Sequence, residues 1–305
     1  MRKIIFCGCF ILIFILIFIL ISLYMPKKRF TPYNIQVKKI SKTINKEEKY
    51  FIQGSFDMYI GFYLNEKTSI SYLIPIQKDG ILHPLAKNII FYAPYNGENG
   101  ANALNRHKWV RDFSEVHNCS VFSLSINTDT ANVCTPEKYY IYQEAGWYEV
   151  IFKIVSFIVQ THGIPSHKLF LCGQSSGASM IQRMVIAFPE KIAAVAAHGG
   201  GRIANFPSSP TTTPILLSVT LGDDISNIVS SKAKDAQKKG WNIWYAETMP
   251  KNLQDHHSAS QIALNMMTDF ILSAINNTDI MKIYETKSEN IPVFFHSNFH
   301  KQETE

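Results

Sequence analysis

From residue 88 onward the chain alternates short, continuous apolar runs with longer segments whose apolar side chains recur every three or four positions. The runs at 88–94 and 119–126 read as strands buried on both faces, and those at 169–172, 192–197, 215–220 and 241–245 as further strands. Between them, 101–117, 144–161, 178–188 and 226–239 read as helices. The second shows the clearest stripe, with Trp147, Val150, Ile151, Ile154, Val155 and Ile158 on one face. A last helix over 260–274 has Ser260 as its N-cap. Strands alternating with helices over this length predict an α/β fold: a mostly parallel central sheet with helices on both faces.

The front of the chain has a different period. Residues 56–63 and 69–76 alternate apolar and polar side chains around a turn at 65–68, and predict antiparallel strands that extend one edge of the sheet. Residues 26–47 are polar and Lys-rich without apolar periodicity, and read as a stalk. Residues 4–25 are apolar and uncharged, and as a helix they would span about 33 Å, enough to cross the hydrocarbon core. An uncleaved signal anchor is the first reading and a cleaved signal peptide the second, since no small-residue cleavage pattern stands out. The expected organisation is therefore a signal anchor or signal peptide (1–25), a polar stalk (26–47), one α/β domain (48–290) and a C-terminal tail (291–305). The domain would be membrane-anchored and extracytoplasmic, or secreted if the first segment is cleaved. Lysines and arginines at both ends of that segment leave its direction open.

The apolar content of 46% suits one large core in a 305-residue chain. The formal charge of +6 is concentrated partly at Arg2, Lys3, Lys27, Lys28 and Arg29 and is dispersed elsewhere. That fits attraction to anionic lipid and excludes a nucleic-acid stripe. Of the five cysteines, Cys7 and Cys9 lie in the apolar segment and Cys172 in a strand. Cys119 and Cys134 remain, either as a disulfide or as two thiols.

The chemistry gathers at 168–180. The apolar run ends in Gly173-Gln174-Ser175-Ser176-Gly177, and a helix follows. Strand, sharp turn and helix in this order are the context of a G-x-S-x-G nucleophile elbow. Two glycines allow strand and helix to pass closely, Ser175 is lifted above the sheet edge as nucleophile, and the Ser176 N–H faces the position of an oxyanion.

With these residues the chain resembles the α/β-hydrolase superfamily and, within it, secreted esterases similar to polyhydroxybutyrate depolymerases. Gly146-Trp147, His162-Gly163-Ile164-Pro165, the elbow, and the stretch from Phe188-Pro189 to His198-Gly199-Gly200 carry the likeness. The resemblance implies a three-layer sandwich and a Ser-Asp-His triad in that chain order. It points to Asp223 as the acid, with Asp224 as the alternative because Thr220 stands where a glycine is usual. It points to His257 as the base, with His256 as the alternative. Asn96 is the expected second oxyanion-hole donor beside Ser176, although Tyr95-Asn96 replaces the usual His-Gly. The implied activity is hydrolysis of carboxylic esters, small-molecule or polymeric, through an acyl-enzyme. No long insertion separates Ala197 from Pro214, where many such enzymes carry a lid, so an open site is expected.

Other features read as structural. The four tryptophans fit core packing better than an aromatic binding surface, and His198 reads as a structural or pocket-wall residue. The histidines lack metal-ligand spacing, and neither a phosphate loop nor a dinucleotide fingerprint is present, so no metal or cofactor is implied. The same motif serves peptidases and thioesterases, and a catalytically silent hydrolase fold acting as a binding or surface protein is the reading outside enzymes.

Overall fold

The computed structural model describes residues 32–60, 66–95, 98–126, 141–143, 146–248, 260–279 and 293–295. Among them the strands are β1 (Pro32–Ile44), β2 (Glu47–Ile60), β3 (Glu66–Ile76), β4 (Asn88–Ala93), β5 (Ser120–Leu124), β6 (Lys168–Gln174), β7 (Ile192–His198), β8 (Ile215–Thr220), β9 (Ile243–Thr248) and β10 (Val293–Phe295). The helices are α1 (Ala103–Arg106), α2 (Lys108–Glu115), α3 (Trp147–His162), α4 (Ser176–Ala187), α5 (Ser226–Lys238) and α6 (Gln261–Asn276). One sheet runs in the order β1-β2-β3-β5-β4-β6-β7-β8-β9-β10. Pairing is parallel from β5 through β9, and antiparallel for β1–β3, for β3 on β5 and for β10 on β9.

The continuous apolar runs follow from burial on both faces. Successive strand residues point to opposite sides, so Phe91, Phe122 and Leu171 join the core beneath α3, α4 and α5. Their neighbours Ile90, Val121 and Phe170 join a second core with Trp109 and Phe113 of α2 and Met266, Met267 and Phe270 of α6. Helix, sheet and helix form three layers. Trp109, Trp147 and Trp241 are buried in these cores. Helix α3 is closed at its C-terminus by Gly163 at φ 66°, a left-handed position that glycine occupies without a Cβ clash.

Three elements depart from the sequence reading. The polar stretch expected to be a stalk is, from Pro32, strand β1, paired in antiparallel register with β2 from Ile44↔Glu47 to Pro32↔Met58. Its alternation was hidden because the apolar phase changes at Lys38-Lys39. Ile35 and Val37 stand exposed, whereas Ile40 and Ile44 pack partly against the α2/α6 core. Lysines on an outermost strand also discourage pairing with a further chain. The tail contributes β10, whose Val293 pairs with Thr248. The single helix expected over 101–117 is broken at His107, which adopts an extended conformation between α1 and α2.

Residues 4–25, read as the membrane-spanning or signal segment, lie outside the described residues. Among the described residues no helix is long and apolar enough to cross a membrane. Cys119 is a buried thiol in the α2/α6 core, and Cys134 lies outside the described residues.

Candidate active site

The carboxyl ends of the parallel strands form one edge, and Ser175 and Asp223 follow β6 and β8 along it. Ser175 sits between β6 and α4 at φ 51° and ψ −123°, a backbone state that L-residues rarely adopt and that costs about 1–3 kcal/mol. The surroundings hold it there. Its N–H donates to the His198 carbonyl at the end of β7 (2.8 Å), and its own carbonyl accepts the Ser179 N–H (3.1 Å). The side chain is exposed and caps no helix N–H.

Two glycines make the turn possible. A Cβ on Gly177 would stand 2.3 Å from the Ala93 carbonyl oxygen and 2.8 Å from that of Pro94. A Cβ on Gly173 would stand 3.0 Å from the Gly177 carbonyl carbon and 3.1 Å from the Ala93 Cβ. The main chain leaving β4 therefore runs directly against the first turn of α4. The Ala93 and Pro94 carbonyls thus lie against the start of α4, the positive end of its dipole.

The candidate acid lies two strands away. Thr220, the last residue of β8, accepts the Asp223 N–H (3.1 Å), and Gly222 at φ 85° supplies the left-handed position inside that turn. Asp223 is buried, and its Oδ1 accepts the Ile225 N–H (3.1 Å). Asp224 is exposed. With β7 between them, β6 and β8 stand roughly 10 Å apart, so the two loops face each other across a gap about one strand wide. His256, His257 and Asn96 lie outside the described residues.

His198 lies at the end of β7, between these loops, and is 1% exposed. Its Nδ1 is hydrogen-bonded to the Ser218 hydroxyl (3.0 Å), and its Nε2 lies 3.4 Å from the Thr220 hydroxyl. Burial pushes the imidazole down to about 4, so it is neutral near pH 7. This histidine braces the sheet edge through its carbonyl and ring. Thr220, which departs from the expected glycine, is part of that brace.

The loop after β7 lies over α4. The Ser179 hydroxyl accepts the Arg202 N–H (3.1 Å), and Gln182 exchanges hydrogen bonds with the Ala204 N–H (2.8 Å) and carbonyl (3.3 Å). A groove of about 1000 Å³ lies instead along β1–β3, lined by Asn34, Gln36, Gln53, Ser55, Asp57 and Ser71. It is an open trough of the meander, with Ile35, Val37, Phe56 and Ile70 also in its lining, and contains neither Ser175 nor Asp223.

Neither a protein-family model nor a curated protein sequence matches the chain. Solved structures do match its shape. An S-formylglutathione hydrolase from Staphylococcus aureus superposes with a TM-score of 0.52 at 10% identity, over 80% of this chain and 100% of its own. The chain has the α/β-hydrolase fold. A siderophore hydrolase from Aspergillus nidulans has a TM-score of 0.52 at 13% identity, over 74% of this chain and 95% of its own. A fluorophosphonate-binding serine hydrolase from Staphylococcus aureus has 0.50 at 12% identity, over 76% and 98%. Relative to this α/β-hydrolase frame, Ser175 occupies the strand-to-helix elbow after the central strand β6. Sequence reasoning missed Glu98, which is fully buried in its side chain just after the loop leaving β4.

Proposed function

We propose that this chain is a serine hydrolase that cleaves carboxylic esters through an acyl-enzyme. The observation that carries the reading is the strained, exposed Ser175 at the elbow, held open by Gly173 and Gly177 against the end of β4. Strain of this kind persists only where the surroundings over-determine it, and here it presents a hydroxyl at a helix N-terminus.

In this reading His257, with His256 as the alternative, takes the Ser175 proton as the oxygen attacks the ester carbonyl. It then returns that proton to the leaving alcohol. Asp223 orients the imidazole and stabilises its cation; its burial and its fixed turn support it over the exposed Asp224. The Ser176 N–H and a main-chain N–H at Asn96 receive the oxyanion, each donor being worth about 3 kcal/mol in the transition state. Water then attacks the acyl-enzyme with the same histidine as base. Neutral, buried His198 is unsuited to that role. The substrates are esters with small acyl or aryl groups, or polymeric esters, and residues 4–25 anchor the domain to a membrane on the extracytoplasmic side.

The test is labelling of the full-length chain with a fluorophosphonate probe beside Ser175→Ala, followed by hydrolysis of p-nitrophenyl esters. Labelling of the parent and not of the variant is expected. A folded parent that takes no label would overturn the enzymatic reading in favour of a binding protein on the same fold. Alanine at His257 and at His256, one at a time, identifies the base by which variant loses labelling.

A further inference from the structure

The chain leaving β4 is held at Ala93-Pro94 and again at 99–101. On entry, Ala93 and Pro94 are pressed against Gly177. On exit, a Cβ on Gly100 would stand 2.0 Å from the Leu124 carbonyl oxygen, and Ser125 donates to Asn99 Oδ1 (2.5 Å) while accepting the Ala101 N–H (3.3 Å). Tyr95 and Glu98 are hydrogen-bonded to each other. The Glu98 N–H donates to the Tyr95 carbonyl (3.0 Å), and the Tyr95 N–H donates back to Glu98 Oε2 (3.4 Å).

The Glu98 carboxylate collects more than that one donor. The Tyr92 hydroxyl donates to Oε2 (2.9 Å), and His107 Nε2 meets Oε1 (2.5 Å). The Glu98 side chain is fully buried, whereas that of His107 is 26% exposed. Burial and then the adjacent carboxylate push the Tyr92 phenol upward, so it stays a donor. Tyr92 is itself held edge-on by Trp109, with ring centroids 5.5 Å apart. The extended backbone of His107, which interrupts the helix, separates α1 from α2 where its ring meets Glu98.

A buried carboxylate is costly unless it is hydrogen-bonded and paired, and leaving one uncompensated is costlier still. A structural turn at a sheet edge needs no such group. We propose that Glu98 is a positioning residue that holds the Pro94-Tyr95 segment against the first turn of α4, next to Ser175, by clamping Tyr95 onto Tyr92 and His107. The proposal rests on the hydrolase reading given above. Three donors converge on one acceptor-only group, and a neutral amide of the same shape would turn its own N–H toward one of them.

The experiment compares steady-state hydrolysis of p-nitrophenyl acetate by the full-length chain and by Glu98→Gln, Tyr92→Phe, His107→Gln and His107→Ala. Thermal midpoints and fluorophosphonate labelling rates are measured on the same preparations. Glu98→Gln is expected to lower kcat about 10- to 100-fold, as a displacement of about 1 Å in the segment beside the nucleophile would, with KM within about 2-fold of the parent. Tyr92→Phe removes one donor without opening a large cavity and is expected to lower kcat about 3- to 10-fold. His107→Gln, which keeps a side-chain N–H, is expected to retain more activity than His107→Ala. If Glu98→Gln and Tyr92→Phe match the parent in kcat and labelling rate, the positioning role is refuted. A loss of kcat that only tracks the loss of folded protein also refutes it. A parent that does not label refutes the hydrolase reading itself, an outcome distinct from either.

Discussion

Gly177 lies so close to Ala93 that any side chain on it would occupy the space of the Ala93 carbonyl oxygen, 2.3 Å away. The contact is main chain on both sides, so no rotamer change relieves it. Gly177→Ala must push the start of α4 away from the end of β4, and overpacking of this kind costs about 1–3 kcal/mol. The same displacement separates the two segments that supply the proposed oxyanion donors. The expected result is a lower urea midpoint together with a labelling rate reduced at least about 10-fold in the protein that remains folded. Near-parent labelling would mean that the spacing between β4 and α4 does not set the site.

Ser175 carries a stability cost that its replacement can reveal. At φ 51° an alanine retains the backbone strain, whereas a glycine relieves it. Glycine also gains freedom in the unfolded chain, which offsets about 0.4–1 kcal/mol. Because a non-glycine residue in this region costs about 1–3 kcal/mol, Ser175→Gly should still be the more stable variant by about 1 kcal/mol. Neither variant should take a fluorophosphonate label. Equal denaturation midpoints would indicate that the elbow is unstrained.

His198 makes stability depend on pH through its burial. Its folded-state value is lowered to about 4 from an ordinary 6.5, so the unfolded chain binds the proton more readily. The stabilising contribution is whole above about pH 6.5 and is lost as the pH falls toward 4, on the order of 3 kcal/mol over that window. His117, His162 and His83 are displaced in the same direction by burial and act with the same sign. Replacing His198 with Gln should leave a shallower fall in urea midpoint between pH 7 and pH 5 than the parent shows. A slope identical to the parent's would indicate that the buried imidazole is not responsible.

What the sequence disclosed and what it hid follow from how far each feature reaches along the chain. The parallel strands were legible because each needs apolar residues on both faces, which leaves an unbroken local run such as Ile89, Ile90 and Phe91. The elbow was legible because its glycines, serine and flanking strand and helix lie within one short stretch. β1 escaped because it is an outer strand whose apolar phase changes sides at Lys38-Lys39. Glu98 escaped for a different reason. One glutamate in a Gly-rich turn looks solvated, and only folding brings Tyr92 and His107 onto it from two separate elements. His107 left no trace in the hydrophobic stripe of residues 101–117, although it is where the helix breaks.

The paired aspartates after β8 differ in a way that one substitution at each can measure. Asp223 is buried at the end of a turn set by Gly222 and fixed by the Ile225 N–H, whereas Asp224 points into solvent. A triad carboxylate acts by holding the imidazole in the tautomer that accepts the serine proton, and an amide in its place favours the wrong one. Asp223→Asn is therefore expected to lower kcat by about 10³- to 10⁴-fold with little change in KM, while Asp224→Asn stays within about 2-fold of the parent. The buried position adds a stability effect, since Asn at 223 still accepts from Ile225 but loses the charge-assisted bond, worth about 1 kcal/mol. Kinetics and urea midpoints together separate the two consequences. If Asp224→Asn produced the larger kinetic loss, the acid would come from the exposed residue, and the loop would have to rearrange around substrate to bring it in.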